Sequence, residues 1–170
     1  MPKRSIYLAA LLVLATLSGC EAPAVGPNGE LGDVYRVEQG NPAMERAYVR
    51  AREGRDRFLE TWRSPPPDSS GFAVKVGVSE GEDTEYFWIT PFREEAGRFI
   101  GTVSNEPTMV RLVSLGSEIS FSKAEIVDWM YFQGEAVVGN HTACAMLENS
   151  PVAERTELKR QYGLQCDGLW

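Results

Sequence analysis

Phe72-Ala73-Val74-Lys75-Val76-Gly77-Val78, the turn Gly81-Glu82-Asp83, and Glu85-Tyr86-Phe87-Trp88-Ile89-Thr90 together set the architecture of this chain. In the first run Phe72, Val74, Val76 and Val78 fall on one side and Lys75 on the other, the period of a half-buried strand. The second run carries large apolar groups on both faces, and the turn between the two makes them antiparallel neighbours. Arg98 to Val103, after the turn around Gly97, reads as the third strand of the meander. Ser117 to Phe121 supplies another short strand. Trp129 to Phe132 and Ala136 to Val138, joined through Gln133-Gly134-Glu135, supply two more.

Upstream of the first strand, Pro65-Pro66-Pro67 reads as a stiff connection out of a long helix. That helix is capped by Asn41 with Pro42 in its first turn, and Met44, Ala47, Tyr48, Ala51, Phe58 and Trp62 recur at helical spacing. Gly54 in its middle costs about 1 kcal/mol relative to Ala, a hint of close packing or of a weak spot. Downstream, Ser122-Lys123-Ala124-Glu125 has capping-box spacing and predicts a single helical turn before Trp129. Ser150 and Pro151 open a last helix, with Lys159 and Arg160 near its end and Gly163 as its stop. The expected fold is α+β: one domain over residues 41–170, a curved antiparallel sheet of about five or six strands with the long N-terminal helix and the C-terminal helix packed on it.

Within that domain no phosphate-cradling glycine loop, nucleophile elbow or paired-cysteine zinc pattern occurs, so the sequence assigns no catalytic residue, metal or cofactor. The single histidine, His141, follows Gly139-Asn140 without a partner cysteine or histidine nearby, and is expected at a solvent-facing or capping position. A formal charge of −7 argues against nucleic acid and against binding anionic headgroups through the protein surface.

The N-terminus carries an address. Lys3 and Arg4 precede an apolar run from Ile6 to Leu17, which ends at Ser18 and Gly19. That is the outline of a secretory signal peptide, and the run is short for a bilayer core, which takes about 20 apolar residues in a helix. Leu17-Ser18-Gly19-Cys20 resembles the lipobox of bacterial lipoproteins, in which the cysteine is acylated and the bond before it is cut. The resemblance implies residues 1–19 as a cleaved signal peptide and palmitate-type acyl chains on Cys20. The following stretch is rich in Pro, Gly and acidic residues, with only Val34, Tyr35 and Val37 to bury, so residues 20–40 read as a lipidated tether that can end in a short edge strand. The alternative is an ordinary signal peptide with an incidental cysteine. Glu21, where Asp marks inner-membrane retention in enteric lipoproteins, points to the periplasmic face of the outer membrane. With Cys20 committed to lipid, Cys144 and Cys166 are left in an oxidising compartment, either as a disulfide worth about 3 kcal/mol or as two free thiols.

A second resemblance spans most of the remaining chain. It is carried by Asp33-Val34-Tyr35-Arg36-Val37, Asn41-Pro42-Ala43-Met44, Ala47, Ala51-Arg52, Val74-Lys75-Val76 and Glu85-Tyr86-Phe87-Trp88-Ile89. It continues through Gly101-Thr102-Val103-Ser104-Asn105-Glu106-Pro107, Gly116, Ile119-Ser120-Phe121, Ile126-Val127-Asp128-Trp129-Met130-Tyr131 and Gly139-Asn140-His141-Thr142. From about residue 33 to Leu147 the chain resembles the YegJ-like family, the bacterial domain of unknown function 2314. Asn140-His141-Thr142-Ala143-Cys144 departs from the family's Gly-Tyr-Thr-x-Arg, so any role of that arginine is absent. The label implies no activity.

Three functions fit these residues. Lys75, Glu85, Trp88, Asn105, Asp128 and Tyr131, with Trp129 beside them, are candidate binding residues expected to meet at one end of the sheet and line a concave, aromatic-walled site. Such a non-enzymatic module would act from the membrane through lipid on Cys20, on an envelope protein or cell-wall partner. An immunity-type protein neutralising a delivered basic toxin is one alternative. A cell-envelope hydrolase with Glu85 or Asp128 as general base, assisted by Lys75 or Tyr131, is the other. Against all three stands a purely structural use of the same residues: Trp88, Trp129 and Tyr131 as packed aromatics, Asn105 and Pro107 shaping a loop, Asp128 bonded to backbone.

Overall fold

The structure, a computed structural model, describes residues 41–166. Cys20 and the stretches expected to form a signal peptide, a tether and an edge strand at Val34 to Val37 lie outside the described residues. Helix α1 runs Pro42–Arg63. Asn41 caps it by accepting the amides of Ala43 and Met44 at 3.0 and 3.2 Å, which uses two of the donors a helix start leaves open. Strands β1 (Ser69–Glu80), β2 (Asp83–Glu95), β3 (Arg98–Val103) and β4 (Glu118–Phe121) form the meander. A 3-10 turn, Lys123–Glu125, then leads into β5 (Ile126–Gln133) and β6 (Ala136–Gly139). Its capping box is in place, with the Ser122 amide donating to Glu125 Oε2 at 2.7 Å.

The six strands make one antiparallel sheet in the order β4-β3-β2-β1-β5-β6, so β5 returns to the free side of β1. Register breaks between Ile89 and Phe92 in β2, and at two places in β1 against β5, insert unpaired residues that bend the sheet. The fold class expected from the sequence is the one found.

Alternation decides which residues are buried under α1. Val74 and Val76 of β1, Phe87 and Ile89 of β2, Phe99 and Val103 of β3 and Trp129 of β5 point to the face on which Ala51, Phe58 and Leu59 of α1 pack. Burying a side chain of this size contributes about 1.5–3 kcal/mol, so this cluster supplies the main driving force for folding. Gly54 is explained here: a Cβ at that position would lie 2.5 Å from Cζ2 of Trp129. The missing side chain lets the indole lie against the helix and donate from Nε1 to the Ala51 carbonyl at 2.9 Å.

The opposite face of β5 and β6 has its own cover. Helix α2 (His141–Leu147), which the sequence pattern does not announce, follows β6 through Gly139 and Asn140, both with left-handed φ (87° and 53°). Its Ala143 and Cys144 pack with Val137, Met130 and Phe132 of the sheet and with Leu164 and Cys166 of the C-terminal segment. A disulfide joins Cys144 to Cys166, and the Val137 amide donates to the Gly163 carbonyl at 2.8 Å. The C-terminal helix α3 (Val152–Gln161) lies between these anchors with none of its residues buried. Among the described residues no helix is long and apolar enough to cross a membrane.

Candidate functional site

Among the described residues two carboxylates are buried, Glu85 and Asp128, and strand alternation puts them on opposite faces. Glu85 shares the α1 face with Phe87 and Ile89, whereas Asp128, paired across to Lys75, shares the other face with Trp88. The expectation that Lys75, Glu85, Trp88, Asn105, Asp128 and Tyr131 meet in one pocket therefore does not hold. Glu85 and Trp88 are three residues apart in an unbroken register, and an odd offset in a strand separates side chains to opposite faces.

On the far face, Asp128 is fully buried between the sheet and α2. Its Oδ1 accepts the amides of Trp129 and His141 at 2.9 and 3.2 Å, and its Oδ2 accepts the amide and hydroxyl of Thr142 at 2.8 and 2.7 Å. Lys75 Nζ donates to the same Thr142 hydroxyl oxygen at 2.6 Å and lies 4.5 Å from the centre of the Trp88 ring. Burial pushes the pKa of Lys75 below its ordinary value, and the Asp128 charge opposes that shift. Tyr48 of α1 stands 6.1 Å from Tyr86 at the rim of this cluster, and burial raises its pKa, with Tyr86 adding to the shift. Chemically the arrangement is a lock: one carboxylate with its lone pairs occupied holds the first turn of α2 onto β5.

On the near face, Glu85 performs the same task for the connection between β3 and β4. Its two oxygens accept the Thr108 amide and hydroxyl and the amides of Met109 and Val110, at 2.8 to 3.1 Å. Burial pushes its pKa up, but these donors outweigh burial and the pKa ends below the usual value of 4.5. Asn105 fixes the start of that connection, its Oδ1 accepting the Trp88 amide at 2.8 Å while the Trp88 carbonyl accepts the Ser104 amide at 2.9 Å. Neither carboxylate is poised as a general base, because each is already saturated with protein donors. Among the described residues no group of three or more acidic, histidine or cysteine side chains could hold a metal ion.

Trp129 and Tyr131 belong to a third place. They floor an open groove of about 560 Å³ with Phe58 and Val138, walled by Gly54 and rimmed by Arg50, Glu53, Arg57 and His141. Tyr131 stacks on Phe72 with ring centres 5.0 Å apart, and the His141 ring meets Trp129 edge-on at 5.3 Å. His141 is not the cap, which is Asn140: it is the half-buried first residue of α2, with its ring at the rim of the open groove. Burial lowers its pKa below 6.5, with Asp128 opposing and Arg50 adding to that shift. Sequence reasoning misses its place because Gly139-Asn140 has the composition of a loop, whereas here the pair makes a left-handed entry into a helix.

Residues 41–166 match the model of a family described as "Uncharacterized protein conserved in bacteria (DUF2314)". The chain belongs to the DUF2314 family. It is 37% identical over 117 residues to "Uncharacterized protein YegJ" of Escherichia coli (strain K12), covering 69% of this chain and 75% of that protein. No solved structure matches. The matched DUF2314 region coincides with the described residues, so the two carboxylate locks, the groove and the disulfide all lie inside it.

Proposed function

We propose that this DUF2314 protein is a non-enzymatic interaction module held at the bacterial cell envelope by lipid on Cys20, facing the periplasm from the outer membrane. The observation that carries the module reading is the state of the two carboxylates: Glu85 and Asp128, the acid/base candidates, each accept four protein donors and lie on opposite faces. Residues spent in this way build surfaces. The surfaces they build are the rim of the aromatic groove, through α2 and His141, and the ordered connection between β3 and β4. The Cys144–Cys166 disulfide supports the exported location, because such bonds persist in oxidising compartments.

The immunity-type reading is favoured by one further observation, the exposed carboxylates Glu82, Asp83 and Glu106 around that connection, which suit a basic partner. The test is affinity capture of the full-length chain from its native envelope after chemical crosslinking, beside the Cys20→Ser variant labelled with an alkyne fatty acid. Recovery of one protein partner, together with fatty-acid label on the wild-type chain and none on Cys20→Ser, is the expected result. Label that persists on Cys20→Ser removes the anchor. Turnover of an envelope substrate by the purified chain removes the module.

A further inference from the structure

We propose that the connection from Ser104 to Ser117, with the β1–β2 turn beside it, is the docking surface for a basic protein partner. The inference rests on the interaction-module reading and assigns it a place. Connections longer than about 12 residues without secondary structure are uncommon in compact domains and are usually functional or disordered. This one is ordered at several points. Glu85 holds Thr108 to Val110, Asn105 holds the entry, Glu80 Oε2 accepts the Arg111 amide at 2.5 Å, and Ser117 closes a turn on Ser114. Val110 is buried, and Val113 packs against the core.

Between and beyond those two anchors the loop turns apolar side chains outward, with Leu112 65% and Leu115 50% exposed. Scattered exposed aliphatics are ordinary, but two within four residues, presented by a loop fastened at its base, form a small preorganised apolar tip. A partner that covers them gains their burial without having to order the loop. Charge selects the partner. Glu106 of the loop is exposed, as are Glu82 and Asp83 of the β1–β2 turn, which Glu80 joins to the loop at the Arg111 amide; the exposed Arg111 is the one cation in the Ser104 to Ser117 sequence. This acidic rim opposes an anionic lipid surface and a facing copy of itself, and it attracts a protein whose apolar pocket is ringed by lysine or arginine.

The experiment places the photoreactive residue p-benzoylphenylalanine at Leu112, at Leu115, at Arg57 on the groove rim, or at Val152 on exposed helix α3, in the full-length chain in its native envelope. The expected result is a protein adduct at positions 112 and 115 and none at 152, with the captured peptide carrying basic residues beside aliphatic ones. The same partner, purified, should bind Leu112→Ser/Leu115→Ser and Glu82→Lys/Asp83→Lys chains about tenfold or more weakly, with unchanged melting, as expected for loss of a central anchor or of charge complementarity. Adducts to lipid or to a second copy, or binding indifferent to the charge reversal, overturn the proposal. Capture at 57 or 152 but not at 112 or 115 overturns the loop and leaves the interaction module standing. No protein adduct at any position defeats both.

Discussion

Substituting Glu85→Gln at neutral pH separates a structural carboxylate from a catalytic one. The ionised side chain accepts five contacts of 2.8 to 3.1 Å from the amides of Thr108, Met109 and Val110 and the Thr108 hydroxyl. The glutamine oxygen can keep the amides that face Oε2, while its NH2 group replaces Oε1 and can only donate, so the Thr108 hydroxyl must turn and accept. Hydrogen bonds to charged groups contribute about 1.5–3 kcal/mol and neutral ones about 1, so the exchange costs roughly 2–4 kcal/mol. That is a sizeable share of a typical stability of about 5–15 kcal/mol. Urea titration followed by tryptophan fluorescence measures the global loss, and hydrogen exchange at Met109 and Val110 shows the loop opening first.

The pH dependence has a definite sign. The folded pKa of Glu85 lies below 4.5, so its contribution is complete above that value and lost as pH falls through the depressed folded pKa. The gap between wild type and Glu85→Gln should therefore close in acid. A loss below about 0.5 kcal/mol, within the range of ordinary surface substitutions, together with unchanged exchange, would refute the reasoning.

Three further outcomes follow from the same geometry. Asp128→Ala leaves the His141 and Thr142 amides and the Thr142 hydroxyl without their acceptor, so stability should fall by about 3–5 kcal/mol in urea titration; a loss under about 1 kcal/mol contradicts the lock. Gly54→Ala gains about 1 kcal/mol of helix propensity but drives a methyl into the Trp129 ring. Overpacking costs about 1–3 kcal/mol, so the variant should be the less stable one, and a higher urea midpoint contradicts the contact. His141 has a folded pKa below 6.5, so the unfolded chain binds more protons and the histidine's share of stability falls as pH drops from 6.5 toward the folded value. Urea midpoints across that window should show the fall in the wild type and a weaker one in His141→Gln.

The fold is readable because alternation is a strong code where one face is buried. Phe72 to Val78 and Arg98 to Val103 announce their strands, and Asn41-Pro42 announces the start of α1 within one residue. Helix α2 is not readable, because His141 to Leu147 is short, follows a Gly-Asn pair, and owes its place to Asp128 and a disulfide rather than to its own periodicity. The candidate residues are mostly worth noticing, but they do not gather in one place. Lys75, Trp88 and Asp128 do come together, whereas Glu85 lies through the sheet from them, and Tyr131 and Trp129 floor a separate groove. The alternation that reveals a strand also assigns each residue its face, so the odd offset between Glu85 and Trp88 is enough to divide the cluster. Thr142 enters only among the residues that carry the family resemblance, and Leu112 escapes notice, because a threonine inside a short unannounced helix and a leucine in a loop carry no periodic mark.

The central proposal is that this DUF2314 chain acts as a binding module for a protein partner rather than through acid/base chemistry, its buried carboxylates serving to hold surfaces in place. Its most direct test is the dissociation constant of the envelope partner recovered by crosslinking, measured with the wild-type chain, Glu85→Gln and Asp128→Asn. Glu85→Gln should bind more weakly, in proportion to the loosening of the Thr108 to Val110 amides, and the wild-type chain should show no turnover. Partner binding unchanged in Glu85→Gln, together with an envelope substrate consumed by the wild-type chain and spared by a folded Asp128→Asn, would contradict it.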